Sequence, residues 1–449
     1  MTPANPFTDE HAKAEQPEAD SRFVVGDDED MDDASSQDIT TISTVEQELE
    51  PYETMRHKVP QLMLDLFPGY RTEDVDIEQM HDGRHNRIIG VTLCKSPPKA
   101  PWYSTRGIRE MIQPCLTGRP KRLSQPKHFI LRIPRSPIQN MHHQVTTLAY
   151  LGYKLEHPIP KVVVLDASAD NALGQAYMLQ ERLPGQPLSD LWQTLNQAQR
   201  LSATRAISNI ILDIRKVKNK CPGIISIRNT TYDLKRDLLS TEPIPIPRTK
   251  HTTSLTSVGA SLSEPQSTKD FLLDLCARQR AYAAVVKIPA CNDLWTKIIK
   301  MIETLHSLGL IPDSLPYHLY HGDIHPRNLL ASITSGSTVE ITGIMDWDLA
   351  LFAPAFMNTR APFFMWGCGV GKEDEDGDAL LEPEDAKLLE AKRTFESIVG
   401  ESFMKEAYCP ELVLARRLWH ILLEGFTNGG DIFLAEEIVQ EFERLHSLV

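Results

Sequence analysis

The chain has no apolar run long enough to span a bilayer, so no membrane-spanning helix is expected. Its seven cysteines, at positions 94, 115, 221, 276, 291, 368 and 409, include no CxxC pair. An odd count without that spacing makes reduced thiols the expected state. Residues 1–16 lack both a basic start and an apolar centre, so no secretory signal is legible and the expected compartment is cytoplasmic. No internal repeat is evident. Basic residues are scarce in one place: residues 1–50 carry fifteen acids against Lys13 and Arg22, a net of -13 out of the formal -14. The remaining 46 acids and 45 bases nearly cancel, so net charge gives no ground for nucleic acid or an anionic membrane as partner. The acidic tail, with Asp27, Asp28, Glu29, Asp30, Asp32 and Asp33 in one run, is too poor in apolar residues to fold and is expected to be disordered. It is either a binding segment for a protein partner or a solvated tail.

What is present is a phosphoryl-transfer pattern. His321-Gly322-Asp323-Ile324-His325-Pro326-Arg327-Asn328 is followed, eighteen residues after Asn328, by Asp346-Trp347-Asp348. Phosphoryl transfer needs a carboxylate to orient and deprotonate the attacking hydroxyl. It also needs an amide oxygen and a second carboxylate to hold Mg²⁺ against nucleotide phosphates, because hard cations take oxygen ligands. Asp323, Asn328 and Asp346 are those residue types in that order. Tyr317–Tyr320 reads as a strand entering the loop and Leu329-Leu330-Ala331 as one leaving it. Ser335-Gly336-Ser337 then turns into the strand Val339–Ile344, which ends beside the loop. Zinc is a rival reading, since His321 and His325 are four apart, but Gly322 stands where a zinc helix would need a helix former and no H-E-x-x-H is present.

These motifs resemble the aminoglycoside phosphotransferase family, a branch of the protein-kinase-like superfamily, with this chain as a divergent, fungal-type member over residues 60–445. The resemblance implies an α+β, bilobal fold: a small antiparallel-sheet N-lobe over 51–183 and a larger, mainly helical C-lobe over 184–449. It implies ATP and Mg²⁺ as cofactors and a hydroxylated small molecule as acceptor. Asp323 is then the base, Asn328 and Asp346 hold the metal, and Asp348 supports a second metal position. His325, two residues past the base, is placed to touch the γ-phosphate, and His321 to orient the loop. Val75–Met80 and Arg87–Leu93 read as a hairpin whose tip, at Gly83, covers the nucleotide. The strand His128–Arg135 puts Arg132 where the family has a phosphate-binding lysine, and the next helix presents Gln144 where the family has its acidic partner. The backbone of Gln180, Glu181 and Arg182, before Pro184-Gly185, is the segment that meets adenine.

Three segments fall outside this pattern. Residues 95–127 form a basic, proline-rich insertion with eight bases against Glu110, either a contact for the acidic tail or an anionic substrate, or a solvated loop. Residues 241–268, with Pro243-Ile244-Pro245-Ile246-Pro247, are expected to be a flexible loop and a candidate lid. Gly367–Lys372 mimics a phosphate loop, but Trp366 and Glu373 break the pattern. The acids Glu373–Asp378 cannot form an EF-hand, since Lys372 would be first and Pro383 twelfth; with Glu382–Asp385 they are cleft residues or ordinary surface. Asp431 is expected to cap the last helix. A protein kinase is a poorer match, because no D-F-G or A-P-E follows the loop. The alternative from another class is a catalytically silent, kinase-like nucleotide- or protein-binding module, which Arg132 and Gln144 favour.

Overall fold

Period-two burial builds the first sheet. The computed structural model describes residues 50–80, 86–95, 125–135, 141–227, 239–246, 264–286, 291–313, 316–367 and 375–447. The acidic tail, the hairpin tip with Gly83, most of the basic insertion and the Gly-rich stretch after Gly367 lie outside these residues. Helix α1 (Val59–Leu66) is followed by β1 (Val75–Gln79), β2 (Asn86–Leu93), β3 (Lys127–Pro134), helix α2 (Met141–Lys154), β4 (Val162–Asp166) and β5 (Tyr177–Glu181). The strands form one antiparallel sheet in the order β1-β2-β3-β5-β4. Ile89, Val91 and Leu93 of β2 and Phe129, Leu131 and Ile133 of β3 are buried under Met55, Val59, Leu62 and Met63. Each such side chain contributes roughly 1.5–3 kcal/mol. Because successive side chains alternate across a sheet, Arg132 is left on the opposite face.

Helix α2 belongs to a different core. Its Leu148, Tyr150 and Leu151, and Leu155 and Ile159 beyond it, pack into the larger cluster that fills the C-terminal half. That half contains α3 (Gln197–Lys216), the pair β6 (Ile224–Ile227) and β7 (Leu239–Glu242), α4 (Thr268–Val286), α5 (Asn292–Ser307), β8 (Tyr317–Tyr320), β9 (Leu329–Ile333), β10 (Val339–Ile344), β11 (Leu351–Ala353), α6 (Ala386–Ala407), α7 (Pro410–Glu424) and α8 (Gly429–Ser447). Asn196 and Gln199 close a capping box at the start of α3, with bonds of 3.0 Å each way. In α5 the face predicted from spacing, Leu294, Ile298, Met301, Ile302 and Leu305, is the buried one. The fold is α+β, with a small antiparallel sheet and a larger, mainly helical part. No helix among the described residues is long and apolar enough to cross a membrane.

Three expectations need correction. Of the segment 241–268, residues 247–263 lie outside the described residues, while 241–246 belong to the fold: Leu239–Glu242 pairs with Ile224–Ile227, and Ile244 and Ile246 are 1% and 2% exposed. The prolines that suggested a loop alternate with isoleucines, so the chain stays extended and drives every second side chain into the core. The buried Arg278 guanidinium then donates to Ile244 O at 2.6 Å. Asp376, read as part of a solvated acidic loop, is buried against Arg416, and Asp385 accepts from the Lys387 and Leu388 N–H groups as the cap of α6. Asp431 is not the cap residue of α8. Asn428 accepts from Asp431 N, and the Asp431 carboxylate reaches back to Asn428 N, both at 3.1 Å, so the two form a capping box around Gly429-Gly430.

Candidate active site

The loop 321–328 joins β8 to β9, and Asp346-Trp347-Asp348 follows β10, the antiparallel neighbour of β9. The two loops are tied through His321. Its ring is 2% exposed and lies 4.2 Å from the Trp347 ring. Nε2 donates to Met345 O at 3.0 Å and Nδ1 accepts the Asp323 N–H at 3.2 Å. Burial pushes its pKa down to about 4, so the ring is neutral with its proton on Nε2. This is an orienting device, and with both nitrogens taken the ring has no lone pair for zinc. Next to it Gly322 has φ +90°, and a Cβ there would sit 2.6 Å from Leu349 Cβ. Only glycine fits where the loop 321–328 passes under the turn that carries Leu349.

His318, on β8, is buried in the same way: its Nδ1 donates to Arg215 O at 2.6 Å, and burial pushes its pKa to about 4. A folded-state pKa below the ordinary 6.5 means that the unfolded chain takes up these protons first, so stability present at neutral pH is lost as pH falls from about 6.5 toward about 4. Urea unfolding between pH 7 and pH 4 should show this decline, and the slope should be shallower in His318→Gln. An unchanged slope would mean that this ring is not held neutral.

Asp323 is held on one oxygen. Oδ2 accepts from Arg327 Nη2 at 2.7 Å and from Asn328 Nδ2 at 2.8 Å, while no described group donates to Oδ1. The Asn328 amide also donates to Asp323 O at 3.0 Å, which leaves its own carbonyl oxygen for a cation. Arg327 did not emerge from the sequence reading; the available signal was a cation four residues past the base. His325 caps the short turn Pro326–Asn328, and its ring lies 6.2 Å from that of Phe364. Asp346 has φ 59° and ψ 59°, left-handed for a residue with a side chain. That conformation costs about 1–3 kcal/mol and persists because its neighbours are fixed. Met345 N donates to Asn328 O at 2.8 Å, Met345 O accepts from His321, and Trp347 Nε1 donates to Ile344 O at 3.0 Å.

The remaining sequence-predicted residues divide. Arg132 does reach the site from the exposed face of the sheet, but its partner is Asp348: Nη2 to Oδ2 is 2.6 Å, with the side chains 12% and 17% exposed. Asp348 is therefore engaged with a cation through one of its two carboxylate oxygens. Gln144 is 8% exposed, and its Oε1 has no hydrogen-bond partner among the described residues, so it does not accept from Arg132. At the adenine segment, Glu181 N donates to Lys161 O at 2.8 Å and Arg182 N to His128 O at 3.0 Å. Gln180 is buried in the ladder, and the Arg182 guanidinium is on Glu78 at 2.5 Å. These amides serve the sheet, which makes Leu183 the first residue beyond it.

The donor set fits Mg²⁺. Among the described residues no three His, Cys, Asp or Glu gather as a metal cage. An amide oxygen of Asn328 and the exposed carboxylate of Asp346 suit a cation that keeps waters and completes its shell with substrate phosphates.

An altered inheritance of mitochondria protein 9, mitochondrial, from Debaryomyces hansenii is 27% identical over 154 residues, 33% of this chain and 20% of that protein. A subtelomeric hrmA-associated cluster protein of Aspergillus fumigatus is 30% identical over 128 residues, 27% of this chain and 23% of that protein. The matches thus span about a fifth of the length of these curated relatives. Among solved structures, the GDP complex of wild-type aminoglycoside 2'-phosphotransferase-IIIa is 13% identical, with TM-score 0.45 over 87% of this chain and 99% of that one. Aminoglycoside phosphotransferase APH(4)-Ia with AMP-PNP and hygromycin B is 14% identical, with TM-score 0.43 over 86% and 97%. The pattern of the phosphotransferase enzyme family, APH, matches residues 121–357, just over half of the chain and the whole stretch from β3 through both motifs, and the protein belongs to that family.

Proposed function

We propose that the protein is an ATP- and Mg²⁺-dependent phosphotransferase that moves the γ-phosphoryl group to a hydroxyl of a small molecule. The observation that carries this reading is the Asp323 carboxylate, locked through Oδ2 by Arg327 and Asn328 with Oδ1 left without a donor. A scaffold has no need to hold one carboxylate oxygen fixed and the other open. In the proposed reaction Oδ1 accepts the acceptor hydroxyl's proton, the acceptor oxygen bonds to the γ-phosphorus, and the bond from that phosphorus to the bridging oxygen breaks, leaving ADP. Asn328 and Asp346 are the residues that would hold Mg²⁺, which when bound neutralises phosphate charge. Arg132 steadies the phosphates from above, and His321 keeps the two loops in register. Positioning is the protein's main contribution, since a well-held near-attack geometry lowers the barrier by several kcal/mol, about 7–11 in the best intramolecular cases.

A silent binding module is the second reading, favoured by Gln144 in place of an acid and by Arg132 being already paired. Thermal unfolding with ATP, with Mg²⁺ and with both tests the first reading. Binding to the folded state alone adds about 2.7 kcal/mol at one hundred times Kd. The melting temperature of the wild type should rise when both are present and should not rise in Asp346→Ala. No rise at millimolar ATP and Mg²⁺ would remove the phosphotransfer reading and turn the search to protein partners.

A further inference from the structure

Arg132 and Asp348 are far apart in sequence, 216 residues, yet form one of the least exposed ion pairs in the structure. In β3 the register Ile88↔Arg132↔Met178 fixes the Arg132 backbone from both sides, but a long guanidinium side chain still needs a partner to hold its head. The neighbouring helix α2 offers Gln144, whose buried Oε1 has no donor among the described residues, while Arg132 Nε has no acceptor among them. An orphaned donor and an orphaned acceptor show that the helix side of the site does not hold this cation. The metal-side loop does. Trp347 is 3% exposed, with its indole N–H on Ile344 O, and the turn that carries Asp348 is anchored by it.

We propose that Asp348 is a positioning residue. Its carboxylate takes the place of an acid on α2 and aims Arg132 across the cleft, so that the loop bearing Asp346 and the strand bearing the phosphate-facing cation are set by a single contact. This inference rests on the phosphotransfer reading for the identity of what Arg132 faces, but the contact itself does not. It also separates the two aspartates of the motif: Asp346 is a cation ligand, Asp348 an arginine holder. With Nη2 on Asp348, the second amino group of Arg132 remains to donate to a phosphate oxygen.

The test uses the full chain as wild type, Asp348→Asn, Arg132→Met and the double variant. ATP affinity is titrated once with EDTA and once with Mg²⁺, and urea midpoints are recorded without nucleotide. With EDTA, each single variant should bind ATP about tenfold more weakly, the loss of one charge-assisted contact, and the double variant no more weakly than either. The nucleotide-free midpoints should be non-additive in the same sense. A loss in Asp348→Asn that is seen only with Mg²⁺ would mark a metal ligand and overturn the proposal, as would additive midpoints. If wild type bound no ATP while the midpoints stayed non-additive, the phosphotransfer reading would fall and the Asp348–Arg132 contact would stand.

Discussion

Asp323→Asn is expected to lower the turnover of phosphoryl transfer by about 10²–10⁴-fold, the usual contribution of a positioned general base, while leaving the ATP-dependent rise in melting temperature intact. Asparagine keeps the shape and still accepts from Arg327 or Asn328 on its carbonyl oxygen, so the loop should not collapse. What it cannot do is take a proton at the position of Oδ1. The measurement is ADP release across a panel of hydroxylated metabolites, once an acceptor has been found with wild type. Turnover within threefold of wild type would mean that Asp323 is not the base. The split matters as much as the size: Asp346→Ala should lose the nucleotide shift, Asp323→Asn should not. Equal loss of binding in both would show that the loop, and not the chemistry, had been damaged.

Arg416→Ala is expected to destabilise the fold by about 3–5 kcal/mol, the cost of leaving a buried charge without its partner. Arg416 on α7 is 6% exposed, and so is Asp376. Its Nε and Nη2 donate to the two Asp376 oxygens at 2.6 and 3.2 Å. The same guanidinium donates to Ala407 O at 2.6 Å, Thr359 Oγ1 at 3.2 Å, Glu406 O at 3.3 Å and Phe356 O at 3.4 Å. One side chain therefore joins the end of α6, the segment after β11 and the short helix Glu375–Asp378. Urea unfolding gives the loss directly, and a cost below about 1 kcal/mol would show that the pair contributes no more than a surface bridge. Replacing both partners with apolar residues of similar volume should cost much less than either single change, because no charge is then stranded.

These two sites differ in how visible they were in the sequence. The geometry of the loop 321–328 between two strands was legible because its residues are consecutive and flanked by apolar runs. The strands around it were legible because Phe129, Leu131 and Ile133, like Ile89, Val91 and Leu93, alternate along the chain. The Arg416–Asp376 pair was not, since a run of acids looks the same whether it is solvated or whether one member turns inward to a cation forty residues away. Ile244 and Ile246 were hidden by the prolines between them, which signal a turn as readily as an extended buried strand. Arg327, four positions from Asp323, has a weaker signature, because a cation inside a loop motif is as common in solvent as on a neighbouring carboxylate. The Asp348–Arg132 contact has no local signature at all. Periodicity reports which face of an element is buried, and it is silent about which distant charge that face will meet.

The placement of α2 has a mechanical consequence. Because the helix is embedded in the large core while β3, β4 and β5 form the small sheet, the chain crosses between the two bodies three times: after Pro134, before Val162 and after Glu181. The third crossing is stapled where Thr342 Oγ1 donates to Pro184 O at 2.6 Å and where a side chain on Gly185 would strike Ala331. A plate joined by one strap swings freely, whereas a plate joined by three straps flexes. Hinge closure needs a few residues to absorb a large rotation. Here the rotation is divided among three crossings, so tilts of the sheet against the helical part are expected to be small and a wide, jaw-like opening is not expected.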